Sequence, residues 1–139
     1  MYLLDTNVVS ELRKATSGKA HPSVTAWASR VPAGSLYLSV ITLLELEMGV
    51  LRVERRDASQ GTIMRTWLDG HVQPAFAGRV LAVDAAVAIR CARLHVPDKL
   101  GERDAMIAAT ALVHGMTVVT RNVADFEASA VPLLNPWLA

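Results

Sequence analysis

The chain has 139 residues, of which 52% are hydrophobic and 19% charged, with a formal net charge of +1. That balance excludes intrinsic disorder, because aliphatic surface is plentiful enough to offset chain entropy, and folding at this length hides roughly 70% of the surface an unfolded chain exposes. The lone cysteine, Cys91, excludes an internal disulfide framework and points to a reducing cytosol, while the near-neutral charge supports no claim of polyanion binding by itself.

In chain order, the apolar run YLLD (2–5) predicts a first strand. Asp5 and Asn7 break that run at once and no basic region precedes it, so it reads neither as a signal peptide nor as a membrane anchor. Helical text follows in TNVVSELRK and, after Pro22, in SVTAWASRV, where Val24, Trp27 and Val31 share a stripe. LYLSV (36–40) predicts a second strand, and TLLELEMGVLRVERR a helix whose Leu44, Met48 and Leu51 recur at helical spacing. Residues 57–72 carry Ile63, Met64, Trp67 and Leu68 at the same spacing. RVLAVD (79–84) predicts a third strand leading into the helix AAVAIRCARL, and VPDKLGE (96–102) a loop. RDAMIAATALVHG predicts a helix ending on Gly115, MTVVT (116–120) a buried fourth strand, NVADFEA a short helix and VPLLNPW (131–137) a fifth strand. Strands alternating with helices imply βαβ crossovers, hence a three-layer α/β fold with a central parallel sheet of about five strands and helices on both faces. With no repeat or linker, residues 1–139 read as a single domain.

Ligands of open α/β sheets bind beyond the carboxyl ends of the strands. Four acids fall there: Asp5 after the first strand, Glu45 after the second, Asp104 at the start of the helix before the fourth strand, and Asp125 after that strand. Each has an ordinary explanation. Asp5 fits an N-cap, Thr42 and Glu45 a capping box, Asp104 a dipole partner, and Asn122 to Asp125 a capping pattern. Two features favour a shared site. Glu45 falls on a stripe with Ile41, Leu44 and Met48, and Asp104 on one with Ile107, Ala108 and Ala111, so both are expected to face inward. Inward charges need partners, and Arg52, Arg55 and Arg56 lie toward the far end of the Glu45 helix, so a bound cation is the simplest one.

Converging carboxylates repel one another unless a divalent ion holds them, and an all-oxygen set selects Mg²⁺ or Mn²⁺, ions suited to phosphoryl chemistry. Asp5, Asp104 and Asp125 are the expected ligands, with Glu45 a catalytic carboxylate also open to a purely capping role. Asn7, Thr120 and Asn122 are candidates to orient ligands or water and Arg121 to contact a phosphate, with turn or surface roles equally open.

Other residues carry weaker messages. His21, His71, His95 and His114 show no metal-ligand spacing. Cys91 reads as a packed thiol, and Trp27, Trp67 and Trp137 as core or dimer contacts rather than base-stacking platforms. The arginines at 52, 55 and 56 fit a solvated helix end, or a patch for RNA or for acidic groups of a partner.

At LLDTNVVSEL (3–12), SVITLLELEMGV (39–50), RDAMIAATALVHGMTVVTRNVADF (103–126) and NPW (135–137), the sequence resembles the PIN-domain ribonucleases. It is most similar to the VapC toxins of type II toxin–antitoxin pairs, in their FitB-like branch. The resemblance implies that Asp5, Glu45, Asp104 and Asp125 are the family's four acids in order, with Thr120 and Asn122 in the motif around the fourth. It further implies a five-stranded parallel sheet, endonucleolytic cleavage of RNA (often tRNA or rRNA), a cognate antitoxin of VapB/FitA type that buries the site, and a cytoplasmic homodimer. Two other functions compete. A phosphatase of the haloacid dehalogenase type needs a second Asp where Asn7 stands, and a non-catalytic PIN-like module for RNA or protein would be free to lose the acids. The stretch 57–78 has no feature assignable to a substrate, so the choice of RNA stays open.

Overall fold

The apolar runs form five short strands in a computed structural model that describes residues 1–139: β1 (Tyr2–Leu4), β2 (Leu36–Ser39), β3 (Val80–Leu81), β4 (Thr117–Val119) and β5 (Leu133–Leu134). All neighbours pair in parallel, in the order β3-β2-β1-β4-β5. β1 is therefore central, with Leu3 opposite both Tyr37 and Val118. The connections carry the helices α1 (Thr6–Arg13), α2 (Pro22–Arg30), α3 (Val40–Arg56), α4 (Ala58–Trp67), α5 (Gln73–Ala75), α6 (Ala85–Leu94) and α7 (Glu102–His114).

Successive side chains of a strand point to opposite faces, and here both faces are covered. Leu4, Leu36, Leu38 and Val119 pack with Val8, Val9, Trp27, Leu46, Val50 and Leu68 from α1, α2, α3 and the turn after α4. Leu3 and Val118 point the other way, onto Ile107, Ala108 and Ala111 of α7 and onto Phe126. Small residues let α7 lie close: Ala105, Ala108, Ala109 and Ala111 are all buried, two of them against Val87 and Cys91 of α6. α7 stops at Gly115, whose φ of 66° closes the helix and turns the chain into β4.

Several elements depart from their predicted extent. The predicted strands 79–84 and 131–137 keep only two paired residues each, because β3 and β5 are edge strands with one neighbour apiece. The predicted short helix after β4 resolves into two single 3₁₀ turns, Val123–Asp125 and Glu127–Ser129, on either side of the buried Phe126. The helix predicted over 57–72 is α4 followed by a π-helical turn, Leu68–Val72.

The buried face of α3 is also not the predicted one. Thr42, Leu46 and Val50 are buried, whereas Leu44 and Leu51 are 47% and 52% exposed. Two apolar periodicities overlap in this helix, and the sheet takes the one containing Thr42, whose hydroxyl donates to the carbonyl of Leu4 at 3.3 Å. α3 and α4 meet where Gly61 lies against Glu54; a Cβ built on Gly61 would stand 2.5 Å from the Glu54 Cα. Beside that contact Arg65 of α4 binds Glu47 and Glu54 of α3 and Asp69, with N···O distances of 2.7, 3.1 and 3.4 Å.

Candidate active site

Parallel strands bring Asp5, Ser39 and Thr120 to one edge of the sheet, each immediately after or at the end of its strand. Asp5 is 6% exposed. It caps α1 as expected, its Oδ1 accepting from the Thr6 amide at 2.8 Å. The cap occupies only one oxygen. Oδ2 accepts from the Thr120 hydroxyl at 2.8 Å and the Asn7 side-chain amide at 3.3 Å, so the carboxylate is fixed from three sides. Burial pushes its carboxyl above the usual range, against the pull of the Thr120 and Thr6 hydrogen bonds, and Glu45 and Asp125 push it further up.

Asn7 and Thr120 form the wall that holds Asp5. Thr120 Oγ1 accepts from the Asn122 backbone at 3.0 Å, and Asn7 Oδ1 accepts from the Arg121 backbone at 3.2 Å, which ties α1 to the turn after β4. The Arg121 guanidinium does not face this wall; it lies over the Trp137 ring at 5.2 Å.

The capping box expected at Thr42 and Glu45 does not form. α3 begins earlier than its apolar text implies, with Ser39 as its cap (Oγ accepts from the Ile41 amide at 3.0 Å), so Thr42 is already inside the helix. Glu45 is free to turn to α1, where its Oε1 accepts from the Thr6 hydroxyl at 2.7 Å. The capping pattern at Asn122 to Asp125 is also unmade, for no side chain caps that 3₁₀ turn, and Asp125 stays exposed.

Asp104 sits in the first turn of α7, partly buried. Its carboxyl is pushed up to about 6, first by burial and then by the charges of Asp5, Asp125 and Glu45. All four acids thus share one electrostatic field, although they come from the β1–α1 junction, α3, α7 and the turn after β4. Two residues of this neighbourhood escaped the sequence reading. Thr6, read only as a helix start, positions Glu45, and Arg103 places its Nη1 3.6 Å from Glu45 Oε2. The sequence held a hint of each, since they adjoin Asp5 and Asp104.

No three His, Cys, Asp or Glu side chains stand close enough to make a ready-built cage for an ion. The expected trio of Asp5, Asp104 and Asp125 is therefore neighbouring but open. Mg²⁺ is typically held by one or two carboxylates and completed by water and substrate phosphate, so an open all-oxygen set with surplus negative charge fits it, whereas zinc and Ca²⁺ call for fuller cages.

The PIN domain model matches residues 2–130. The chain belongs to the PIN-domain family. Across 99% of its length it is 41% identical to "VapC ribonuclease Y4jK" of Sinorhizobium fredii, covering 98% of that protein. It is 35% identical to "Toxin FitB" of Neisseria gonorrhoeae, over 99% of both chains. Among solved structures, one described as FitAcB from Neisseria gonorrhoeae superposes with a TM-score of 0.90 at 34% identity, covering all of both chains.

Within this PIN fold two of the four histidines serve local geometry: His21 Nδ1 accepts from the Ser23 amide at 3.2 Å and His95 Nδ1 from the Leu100 amide at 3.0 Å. Cys91 is buried, and burial raises its thiol. Trp27 packs edge-on against Tyr2 in the core. No helix is long and apolar enough to cross a membrane.

Proposed function

We propose that this chain is the toxin of a toxin–antitoxin pair of the VapBC/FitAB kind, a Mg²⁺- or Mn²⁺-dependent endoribonuclease working at Asp5, Glu45, Asp104 and Asp125. What carries the reading is the coupling of the four acids around Asp104, each of the other three raising its carboxyl. Such crowding of like charge is costly unless a cation and a substrate use it. Near full-length similarity to a protein named as a ribonuclease and to one named as a toxin supports the same conclusion.

Of Asp5, Asp104 and Asp125, one or two would hold the ion directly and the rest through its waters, and the ion when bound would supply Lewis acidity at a phosphodiester oxygen and an acidified water. Thr120, Asn7 and the Thr6 amide keep the Asp5 oxygens pointed at the site. Thr6 fixes Glu45, leaving its Oε2 to accept a proton from an attacking water. Asn122 steadies Thr120 through its backbone. No residue is called upon as a covalent nucleophile.

The partners follow from the same reading: an RNA substrate, tRNA or rRNA among the candidates, a VapB/FitA-type antitoxin and a second copy of the chain in a cytoplasmic homodimer. Purified protein is expected to cut RNA with Mg²⁺ or Mn²⁺ and to stop with EDTA. Asp5→Ala and Asp104→Ala should lose cleavage while remaining folded by circular dichroism. Cleavage by these variants at the unsubstituted rate would refute the proposal.

A further inference from the structure

Arg103 is a residue of the site that neither the fold nor the four acids require. It lies in the first turn of α7, where the helix dipole disfavours a cation, and its side chain is 48% exposed. Its contact with Glu45 Oε2 is the only ion pair made to any of the four acids. At 3.6 Å that contact is longer than a hydrogen bond, so the guanidinium leans on Glu45 through charge alone and keeps its donors free. Neighbouring cations are otherwise engaged: Arg121 lies over Trp137 at 5.2 Å, and Lys99 pairs with Glu102 at 3.3 Å. Glu45 does not depend on Arg103 for its position, because Thr6 holds its other oxygen at 2.7 Å.

Resting on the nuclease reading above, we propose that Arg103 grips the RNA: its guanidinium leans on Glu45 in the free chain and moves to the non-bridging oxygens of a phosphate when a strand settles over the acids. A planar fork of N–H donors matches two phosphate oxygens, and a cation at the exposed rim offsets the repulsion that a polyanion meets on approaching four carboxylates. Arg103 thereby acts in substrate binding and leaves the chemistry to the acids.

The test compares Arg103→Ala and Arg103→Lys. In an Asp104→Asn background, expected on the nuclease reading to silence cleavage, binding of a fluorescent mixed-sequence single-stranded RNA is followed by anisotropy with Mg²⁺ over a KCl series. Arg103→Ala should weaken binding about tenfold, the loss expected for a charge-assisted hydrogen bond. The slope of log affinity against log salt should become shallower by about 0.7, the loss of one phosphate contact on a single strand. Arg103→Lys should keep the slope and lose part of the affinity, since a point charge replaces the fork. With Asp104 intact, Arg103→Ala should raise KM for RNA while kcat stays within about threefold. A merely structural role would lower kcat and thermal stability and leave the salt slope alone. Unchanged affinity and slope in a chain that still cuts RNA would overturn the role of Arg103 and spare the nuclease reading. If the unsubstituted chain neither binds nor cuts RNA, both fall together.

Discussion

Replacing Asp104 by asparagine should stabilise the metal-free chain at neutral pH and do nothing in acid. The Asp104 carboxyl is raised from 3.8 to about 6 in the folded chain, by burial first and by Asp5, Asp125 and Glu45 after it. A carboxyl raised on folding binds more protons in the native state than in the unfolded one, so stability falls as pH climbs from about 4 to about 6 and stays reduced above. Below that window the group is protonated in both states and asparagine brings no advantage.

At 1.36 kcal/mol per pKa unit the full penalty is roughly 3 kcal/mol, and solvent screening at a site open on one side reduces it to about 1 kcal/mol. For a chain of this size that is about 3–4 °C in Tm. Thermal unfolding in EDTA, followed by circular dichroism, should show this gain at about pH 7.5 and its disappearance by about pH 4. Adding Mn²⁺ should reverse the order, because the unsubstituted chain gains binding energy that Asp104→Asn cannot collect. An asparagine variant less stable in EDTA at neutral pH, or a gain of equal size in acid, would refute the electrostatic account of this site.

The remaining predictions concern the supports of the site and the ion. Thr120→Val keeps the shape of a buried side chain and removes the hydroxyl from Asp5, and should cut RNA cleavage or Mn²⁺ affinity by about 10–100-fold while the chain stays folded. Saturating Mn²⁺ at about one hundred times its dissociation constant should stabilise the chain by about 2.7 kcal/mol in a thermal shift assay, an effect lost in Asp5→Asn. Gly61→Ala drives a methyl group into the Glu54 backbone and should cost about 1–3 kcal/mol in urea unfolding without changing the site. Arg65→Ala should lower Tm by uncoupling α4 from α3, with the deficit shrinking as salt is added.

The centre of the fold was legible because its signals are local and agree with one another. β1, β2, β4 and α7 are short apolar or alanine-rich runs bounded by Asp5, Ser39, Gly101 and Gly115, residues that suit a strand end or a helix terminus. The face of α3 was not legible, since Leu44–Met48–Leu51 and Thr42–Leu46–Val50 are both plausible stripes and only the sheet chooses between them. Capping read the site half correctly. Asp5 is both cap and candidate ligand, whereas Glu45 and Asp125 cap nothing, because where a helix begins is settled by neighbouring elements rather than by the motif. The contacts of Thr6 and Arg103 with Glu45 cross long stretches of chain, beyond the reach of any local pattern.

The central position of β1 has a consequence for biosynthesis. The first strand made cannot pair with β4 until Thr117–Val119 has been translated, and the hydroxyl that orients Asp5 lies 115 positions away from it. A ribosome adding about 5–20 residues per second must therefore finish most of the polypeptide before Asp5 can meet Thr120, whereas the supports from Thr6 and Asn7 are made early. Synthesis of Asp5 and Glu45 thus does not complete the site, which waits on the late segments that supply Asp104, the fourth strand and Asp125.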